Sequence, residues 1–328
     1  MTRKKAVLTV SDDLSDLFAV EPQQPTVMPA KEPLGNSIQQ ALTTVLKQMV
    51  TTGHRERTMS DYELHVRHFA KVTGVVYMND INVDHIYEWL SSMNVSNQTK
   101  LTRLKCLKAF LGRSFDNGWL ASKFWRNITI KVDSPIKQGA AERDVYTLLS
   151  LLDLTDFVQL RDATALLMFF QTGIRIGTLT QLKKKHVDLE ANVLRIDGGL
   201  LKNHEQMHLP FDAKLNRLLS ALMEQNDKVR SLAKVNNDNI FITIQGGAVS
   251  STPTNNVIRK RLSSYSKMYG LPNINPHALR RGFAKRLLKM GAHIAFISKA
   301  LGHRDISVTT RYLYMDKEEV ADNLRKYL

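Results

Sequence analysis

Between His277 and Tyr312 the chain carries a run of polar side chains whose spacing leaves few folds open. His277 and Arg280 stand three apart, so a helix brings both to one side, where they can approach a single anion. The apolar positions Phe283, Leu287, Leu288 and Met290 form an uneven stripe beside Arg281, Lys285, Arg286 and Lys289, a pattern that buries one face and leaves a basic one. Gly291 fits the end of that helix, and Ile294, Ile297, Ala300 and Leu301 restart the apolar spacing. Gly302 can take the left-handed conformation that releases His303 from the second helix into a cleft. Asp305 and Ser307 suit the caps of a short helix through Thr310, with Tyr312 just beyond it.

A second fragment far upstream, Gln171-Thr-Gly-Ile-Arg-Ile-Gly-Thr-Leu179, supplies Arg175. Two arginine forks can clamp the non-bridging oxygens of one phosphodiester, and the charge added in a pentavalent transition state strengthens their grip; His303 can donate a further hydrogen bond. Tyr312 can attack the phosphorus directly. A free phenol ionises near ~10, so cations and a base must assist, and His277 is the candidate base. Lys202, in the turn between two extended segments, is the candidate acid for the leaving 5′ oxygen, with His204 its near alternative. Singly, each residue has a structural reading: Arg175 as a helix cap, Arg280 in a surface ion pair, the histidines as packing groups, Lys202 as a solvated lysine. Their combined order favours chemistry. The sequence has no GxxxxGK[ST] phosphate loop and no compact acidic triad, so neither nucleotide nor metal is expected.

Charge points to the same class of ligand. Lys plus Arg number 46 against 31 Asp plus Glu, a net +15 spread along 328 residues, which attracts nucleic acid or an anionic membrane. The apolar run Ala163 to Phe170 is too short to span a bilayer and Ala6 to Val10 too short for a secretory signal. A soluble, cytoplasmic, nucleoid-associated protein is expected. Cys106, the one cysteine, excludes an internal disulfide and a multi-cysteine zinc site; among Leu104, Leu107 and Phe110 it reads as a buried small side chain.

Residues 1–35 read as an arm, broken by Pro22, Pro25, Pro29 and Pro33, that docks on a partner subunit or drapes over its own domain. A helical unit follows over 36–133. Helices are expected from Ser37 to Val50 on the spacing Ile38, Leu42, Val45, Leu46 and Val50, from Thr58 through Val72, after a cap at Asp80 or Asn82, and from Ser96. The last turns Leu101, Leu104, Leu107 and Phe110 inward while Lys100, Arg103, Lys105 and Lys108 make it basic, which favours phosphate contacts over a protein-interaction bundle. Val132 to Ala141 reads as a linker, with Lys137-Gln-Gly139 a flexible basic bridge and the border at about 134. The second domain, 134–328, reads as mainly helical with a small sheet inserted early. Strands are expected at Val193 to Ile196 and Met207 to Pro210, an extended piece at Ile240 to Ile244, and helices around Val145 to Leu152, Arg161 to Phe170 and Ala213 to Met223. A further helix, introduced by Thr252 and Thr254, carries Arg259, Lys260 and Arg261 as a groove or backbone reader.

The ordered combination resembles the tyrosine recombinase, or phage integrase, family of site-specific DNA recombinases. The likeness rests on Thr172-Gly-Ile-Arg-Ile-Gly-Thr-Leu179, the hairpin Lys202, His277-Ala-Leu-Arg280, and Leu301-Gly-His303 followed nine positions later by Tyr312; it covers roughly residues 36–328. It implies a mainly α, two-domain chain: a helical, SAM-like core-binding domain, then a mixed α+β catalytic domain with a small antiparallel sheet. It also implies that Arg175, Lys202, His277, Arg280 and His303 surround the phosphate and that Tyr312 is the nucleophile, with Tyr314 its rival by proximity. A 3′-phosphotyrosine, a free 5′ hydroxyl and strand exchange between synapsed duplexes follow, with no metal or nucleotide cofactor. The implied partners are double-stranded recombination sites with inverted core repeats, a homo-tetramer on two synapsed duplexes, and an accessory DNA-bending protein. Residues 316–328, with Val320, Leu324 and Leu328 along one side, are expected to pack on a neighbouring protomer. Integration and excision of a mobile element is the leading expectation. The alternatives are chromosome or plasmid dimer resolution, type IB topoisomerase-like relaxation, and a non-catalytic architectural DNA-binding protein. Two positions depart from the family pattern. Thr178 stands where an acidic residue is common, leaving support of Arg175 to another hydrogen bond, and Arg281-Gly282 replace a His-Thr pair, so that Arg281 is left to contact DNA or a neighbouring side chain.

Overall fold

Polar caps and apolar spacing organise the first helices. The structure, a computed structural model, describes residues 35–133, 137–201, 205–252, 255–303, 305–313 and 325, with the backbone alone at 311 and 312. The arm up to residue 34, Lys202 with His204, Thr254, Tyr314 and, Arg325 apart, the terminal segment at 316–328 lie outside the described residues. The chain divides into two compact units, Met1–Ser134 and Pro135–Leu328.

In the first unit Ser37 accepts from the Gln40 amide in a reciprocal capping box and starts α1 (Ile38–Thr51). Met49 takes the core position expected of Val50, which is 63% exposed because the 3.6-residue stripe has rotated past it by the last turn. The next helix, α2 (Glu56–Thr73), begins before the expected Thr58 and ends on Gly74, held at φ 69°. Asn82, not Asp80, caps α3 (Val83–Ser91), which buries Ile86, Trp89 and Leu90. Ser96 caps α4 (Asn97–Asp116), which buries Leu104, Leu107, Phe110 and Leu111. The four helices share one core with Trp125 inside it and Trp119, Phe124 and Cys106 at its margin. Each of these large apolar side chains contributes about 1.5–3 kcal/mol when fully buried, and burial pushes the Cys106 thiol up to about 12, away from redox chemistry.

The second unit starts with α5 (Glu142–Leu151), α6 (Phe157–Thr172) and the single turn α7 (Ile176–Leu179). Strands β1 (Val187–Asp188), β2 (Val193–Ile196) and β3 (Met207–Pro210) follow as an antiparallel sheet in that order, with Leu194 opposite Leu209 and Ile196 opposite Met207. Then come α8 (Ala213–Ala233), α9 (Val257–Met268), α10 (Pro276–Lys289), α11 (Ile294–Ala300) and α12 (Ile306–Tyr312). From Leu160 to Thr172 every residue of α6 is buried, so that helix needs cover on all sides. It receives it from α5, α8, α9 and α10, with Leu194, Ile196 and Leu209 of the sheet in the same core.

Six expectations need correction here. Ile240 to Ile244 adds no strand to the sheet: Ile242 makes one isolated bridge to Ala248 and Ile244 is 59% exposed, while the short β1 supplies the third strand. Asn256 caps α9, not Thr252. Met290 sits at the C-cap of α10 and is exposed instead of joining the apolar stripe. Residues 137–140 are no loose bridge, because Ala140 donates its amide to the Ala278 carbonyl at 2.8 Å and Arg281 Nε donates to the Gln138 carbonyl at 3.0 Å, laying this stretch along α10. Helix α8 also runs past Met223 to Ala233, and Tyr312 is the last residue of α12 instead of following a helix that stops at Thr310.

Candidate active site

Two helix ends create the site. Helix α6 terminates on Gly173 at φ 62°, and α11 on Leu301 followed by Gly302 at φ 60°. Carbonyls of a last helical turn lack intrahelical donors and carry the negative end of the helix dipole, so both ends attract a cation. Arg280, buried within α10, meets that demand: it donates from one terminal nitrogen to the Gly173 carbonyl and from the other to the Leu301 carbonyl. The second nitrogen also lies 3.1 Å from His303 Nε2. Arg175, at the N-cap of α7, donates to the Gly302 carbonyl at 3.3 Å. Thus Arg175, Arg280 and His303 are gathered around two adjacent turns.

Hydrogen-bond roles at His303 follow from its neighbours. A guanidinium only donates, so Nε2 accepts from Arg280; in a neutral ring the proton is then on Nδ1, which donates to Thr309 Oγ1 at 2.9 Å. Burial, then the charges of Arg280 and Arg175, push the imidazole down to about 4, so it is neutral near pH 7. The sequence reading cast His303 as a donor; here its Nε2 accepts. His277, on the first turn of α10, keeps a solvent-exposed surface, unlike buried Arg280 three positions on. Desolvation of the rest of the ring, then Arg281, Arg280, Arg259 and Lys137, lower its pKa, which favours the neutral form that a proton acceptor needs.

Other site candidates differ in what holds them. Thr178, the departure in the first arginine fragment, donates its hydroxyl to the Leu200 carbonyl at 3.2 Å, bracing the chain just before residue 202; Arg175 takes its support from Gly302. The helix that carries Tyr312 is fixed by the Thr309–His303 bond and by Leu313, buried against Phe283, Ala284, Ile297 and Leu301. Of the basic residues on α4, Lys105 is exposed and Lys100 half-buried, Arg103 donates to Met93 Sδ at 3.4 Å, and Lys108 donates to the Arg126 carbonyl at 2.9 Å, burial lowering its pKa. On α9, Arg259 and Lys260 are exposed, whereas Arg261 is partly exposed and its guanidinium binds Asp162 and the Tyr265 hydroxyl. Asp162 is fully buried and also pairs with Arg161 at 2.8 Å, so Arg261 belongs to an internal ion network.

Sequence reading missed the three carbonyls that cradle the arginines, Thr309, and the Asp162 network. The first had a signal, since glycines 173 and 302 already marked helix ends whose carbonyls need donors. Among the described residues no three or more His, Cys, Asp or Glu side chains gather as metal ligands, and no helix is long and apolar enough to cross a membrane.

The family model described as the phage integrase family matches residues 141–319, more than half of the chain. The chain belongs to the phage integrase, or tyrosine recombinase, family. A curated relative of this tyrosine recombinase, the tyrosine recombinase XerC of Staphylococcus aureus, is 23% identical over 297 residues, covering 87% of this chain and 94% of its own. The XerC of Thermodesulfovibrio yellowstonii is 25% identical over 231 residues, with 69% and 74% covered. Among solved structures, the Tn1549 transposon integrase in complex with transposon right end DNA superposes with a TM-score of 0.71 at 17% identity, covering 89% of this chain and 99% of that one. The XerH site-specific recombinase bound to a palindromic difH substrate gives 0.63 at 21%, with 88% and 84% covered. Those two share the architecture of a mainly helical first region followed by a region with a small sheet. This tyrosine-type site-specific recombinase therefore cuts and rejoins DNA through a phosphotyrosine intermediate.

Proposed function

We propose that Tyr312 is the nucleophile and that Arg175, Arg280 and His303 hold the scissile phosphate. The observation that carries this reading is the convergence of those three side chains on the C-terminal turns of α6 and α11, beside the helix on which Tyr312 sits. In the proposed step the tyrosyl oxygen forms a bond to phosphorus as the bond from phosphorus to the 5′ oxygen breaks. His277 takes the phenolic proton and Lys202 delivers one to the departing 5′ oxygen, so the 3′-phosphotyrosine stores the linkage. Rejoining is the reverse, with the 5′ hydroxyl of a partner strand as attacking group. The arginines bind the added charge of the pentavalent state more strongly than the ground state.

The curated relatives named XerC favour chromosome or plasmid dimer resolution over integration and excision of a mobile element. The transposon integrase shares the fold alone and does not weigh between them. On this reading the first unit is the SAM-like core-binding domain, residues 134–328 are catalytic, and four protomers act on two duplexes with inverted core repeats, assisted where needed by a DNA-bending protein at the nucleoid. A groove of about 440 Å³ lined by Met207, Leu209, Phe283, Leu287 and Phe296 supports docking of residues 316–328 from a neighbouring protomer.

A nicked suicide duplex that traps the covalent intermediate tests the assignment. The unaltered protein and Tyr314→Phe accumulate adduct, and Tyr312→Phe does not; adduct from Tyr312→Phe, or its loss only in Tyr314→Phe, overturns the choice of nucleophile.

A further inference from the structure

Thr309 has no role in the reaction as described so far, yet it is fully buried and its hydroxyl meets the one ring nitrogen of His303 that Arg280 does not. It lies on α12, the helix that ends at Tyr312, one turn before that residue. A buried aliphatic residue would fill the position equally well. A hydroxyl there gives the ring N–H an acceptor and fixes the ring's orientation.

We propose that Thr309 is a positioning residue that reserves Nδ1 of His303 as a donor, so that Nε2 is the nitrogen which faces Arg280 and, once it takes a proton from solvent, donates a hydrogen bond to the anionic DNA phosphate. This inference rests on the assignment of His303 to the phosphate site. An imidazole has two nitrogens of similar basicity, and which one is protonated is decided by the partner of the other. Arg280 supplies the donor on one side, and Thr309 supplies the acceptor on the other. The bond to Thr309 suits both protonation states of the ring. In the neutral ring Nδ1 donates while Nε2 accepts from Arg280; when an anionic phosphate draws a proton onto Nε2, Nδ1 keeps the same partner and only Nε2 changes role. The low pKa of the ring in the described state fits the first of these states. Because Thr309 and Tyr312 share a helix, the same bond also ties the nucleophile's backbone to the phosphate-binding histidine.

The test is nitrogen-15 NMR of the imidazole rings in the full-length protein, with His303 assigned by the signal lost in His303→Gln, together with the rate of adduct formation on the suicide duplex. In the unaltered protein Nδ1 of His303 is protonated and Nε2 is not. Thr309→Val, which keeps shape and removes the acceptor, shifts population toward the Nε2-protonated tautomer and slows adduct formation about tenfold, the scale of one lost orienting hydrogen bond. Thr309→Ser restores both. Protonation at Nε2 in the unaltered protein, a rate loss in Thr309→Val with no change of tautomer, or failure of Thr309→Ser to restore the tautomer each overturns the proposal. The tautomer is read without DNA, so absence of adduct in the unaltered protein would count against the recombination site assignment alone.

Discussion

Replacing Gly173 with alanine asks whether the turn after α6 is built for one residue type. The cost has two parts. At φ +62° an L-residue loses about 1–2 kcal/mol relative to glycine. In addition, a Cβ there would fall inside the contact distance of the Phe283 ring, 2.9 Å from Cε1, and 3.1 Å from Leu301 Cδ2; relieving that overlap costs about 1–3 kcal/mol. Gly270, in the same unit at φ +63° with nothing within 4 Å of its Cβ, isolates the first part. Gly270→Ala therefore loses about 1–2 kcal/mol and Gly173→Ala about 2–5 kcal/mol. For a unit of this size each kcal/mol lowers the midpoint by roughly 2–4 °C, so melting followed by far-ultraviolet circular dichroism separates the variants by several degrees. All three tryptophans lie in the first unit, which makes their fluorescence an internal reference for the other unit. The displaced Gly173 carbonyl also leaves Arg280, so Gly173→Ala forms adduct more slowly while Gly270→Ala does not. Equal melting shifts in the two variants would refute the steric argument.

Asp162→Asn leaves the guanidinium groups of Arg161 and Arg261 without their buried carboxylate and costs about 3–5 kcal/mol, read from the urea midpoint; a loss below about 1 kcal/mol would show that the network is not what holds α9 to α6. Acid should also weaken the second unit through His303. Its folded pKa of about 4 lies below the ordinary 6.5, so the unfolded chain binds more protons and stability is lost as pH falls from 6.5 toward 4. His277 shifts in the same direction. Allowing for solvent at a partly exposed ring, the His303 share is about 2 kcal/mol. His303→Gln accordingly flattens stability against pH in that window, and an unchanged slope counts against the depressed pKa.

What could be read from the chain in advance was what depends on near neighbours. Ser37, Asn82, Ser96 and Asp305 each cap a helix by binding an amide two or three positions away, and such contacts are visible in a string of residues. Glycines 291 and 302 were read as helix ends for the same reason, and both have positive φ. The bond from Arg261 to Asp162 was not legible, because that partner is 99 positions away. Periodicity located α6 but not its all-round burial, since a wholly apolar stretch has no preferred face. The Arg175 fragment and the His303 fragment could be matched as motifs, but not the reason they meet, which is that Arg280 satisfies two helix ends at once.

Arg281 and Gly282, the departure from the family pattern, acquire a physical reason from the segment at 137–140. A Cβ at Gly282 would be 2.6 Å from the Ala140 carbonyl oxygen, and one at Gly139 would be 2.7 Å from the Gly282 amide. Two backbones can lie that close only where both positions lack side chains. Arg281 then has a local acceptor in the Gln138 carbonyl, and Ala140 bonds to Ala278 on the preceding turn. The departure is thus a docking device: it gives up a side chain on α10 to let the stretch leading into α5 run along the first turns of the helix that holds His277 and Arg280. A larger residue at 282 must push that stretch away or move the turn that carries Arg280. The residue two positions after Arg280 is therefore constrained by the path of the main chain beside it, and Arg281 between them is tied to that same stretch through the Gln138 carbonyl.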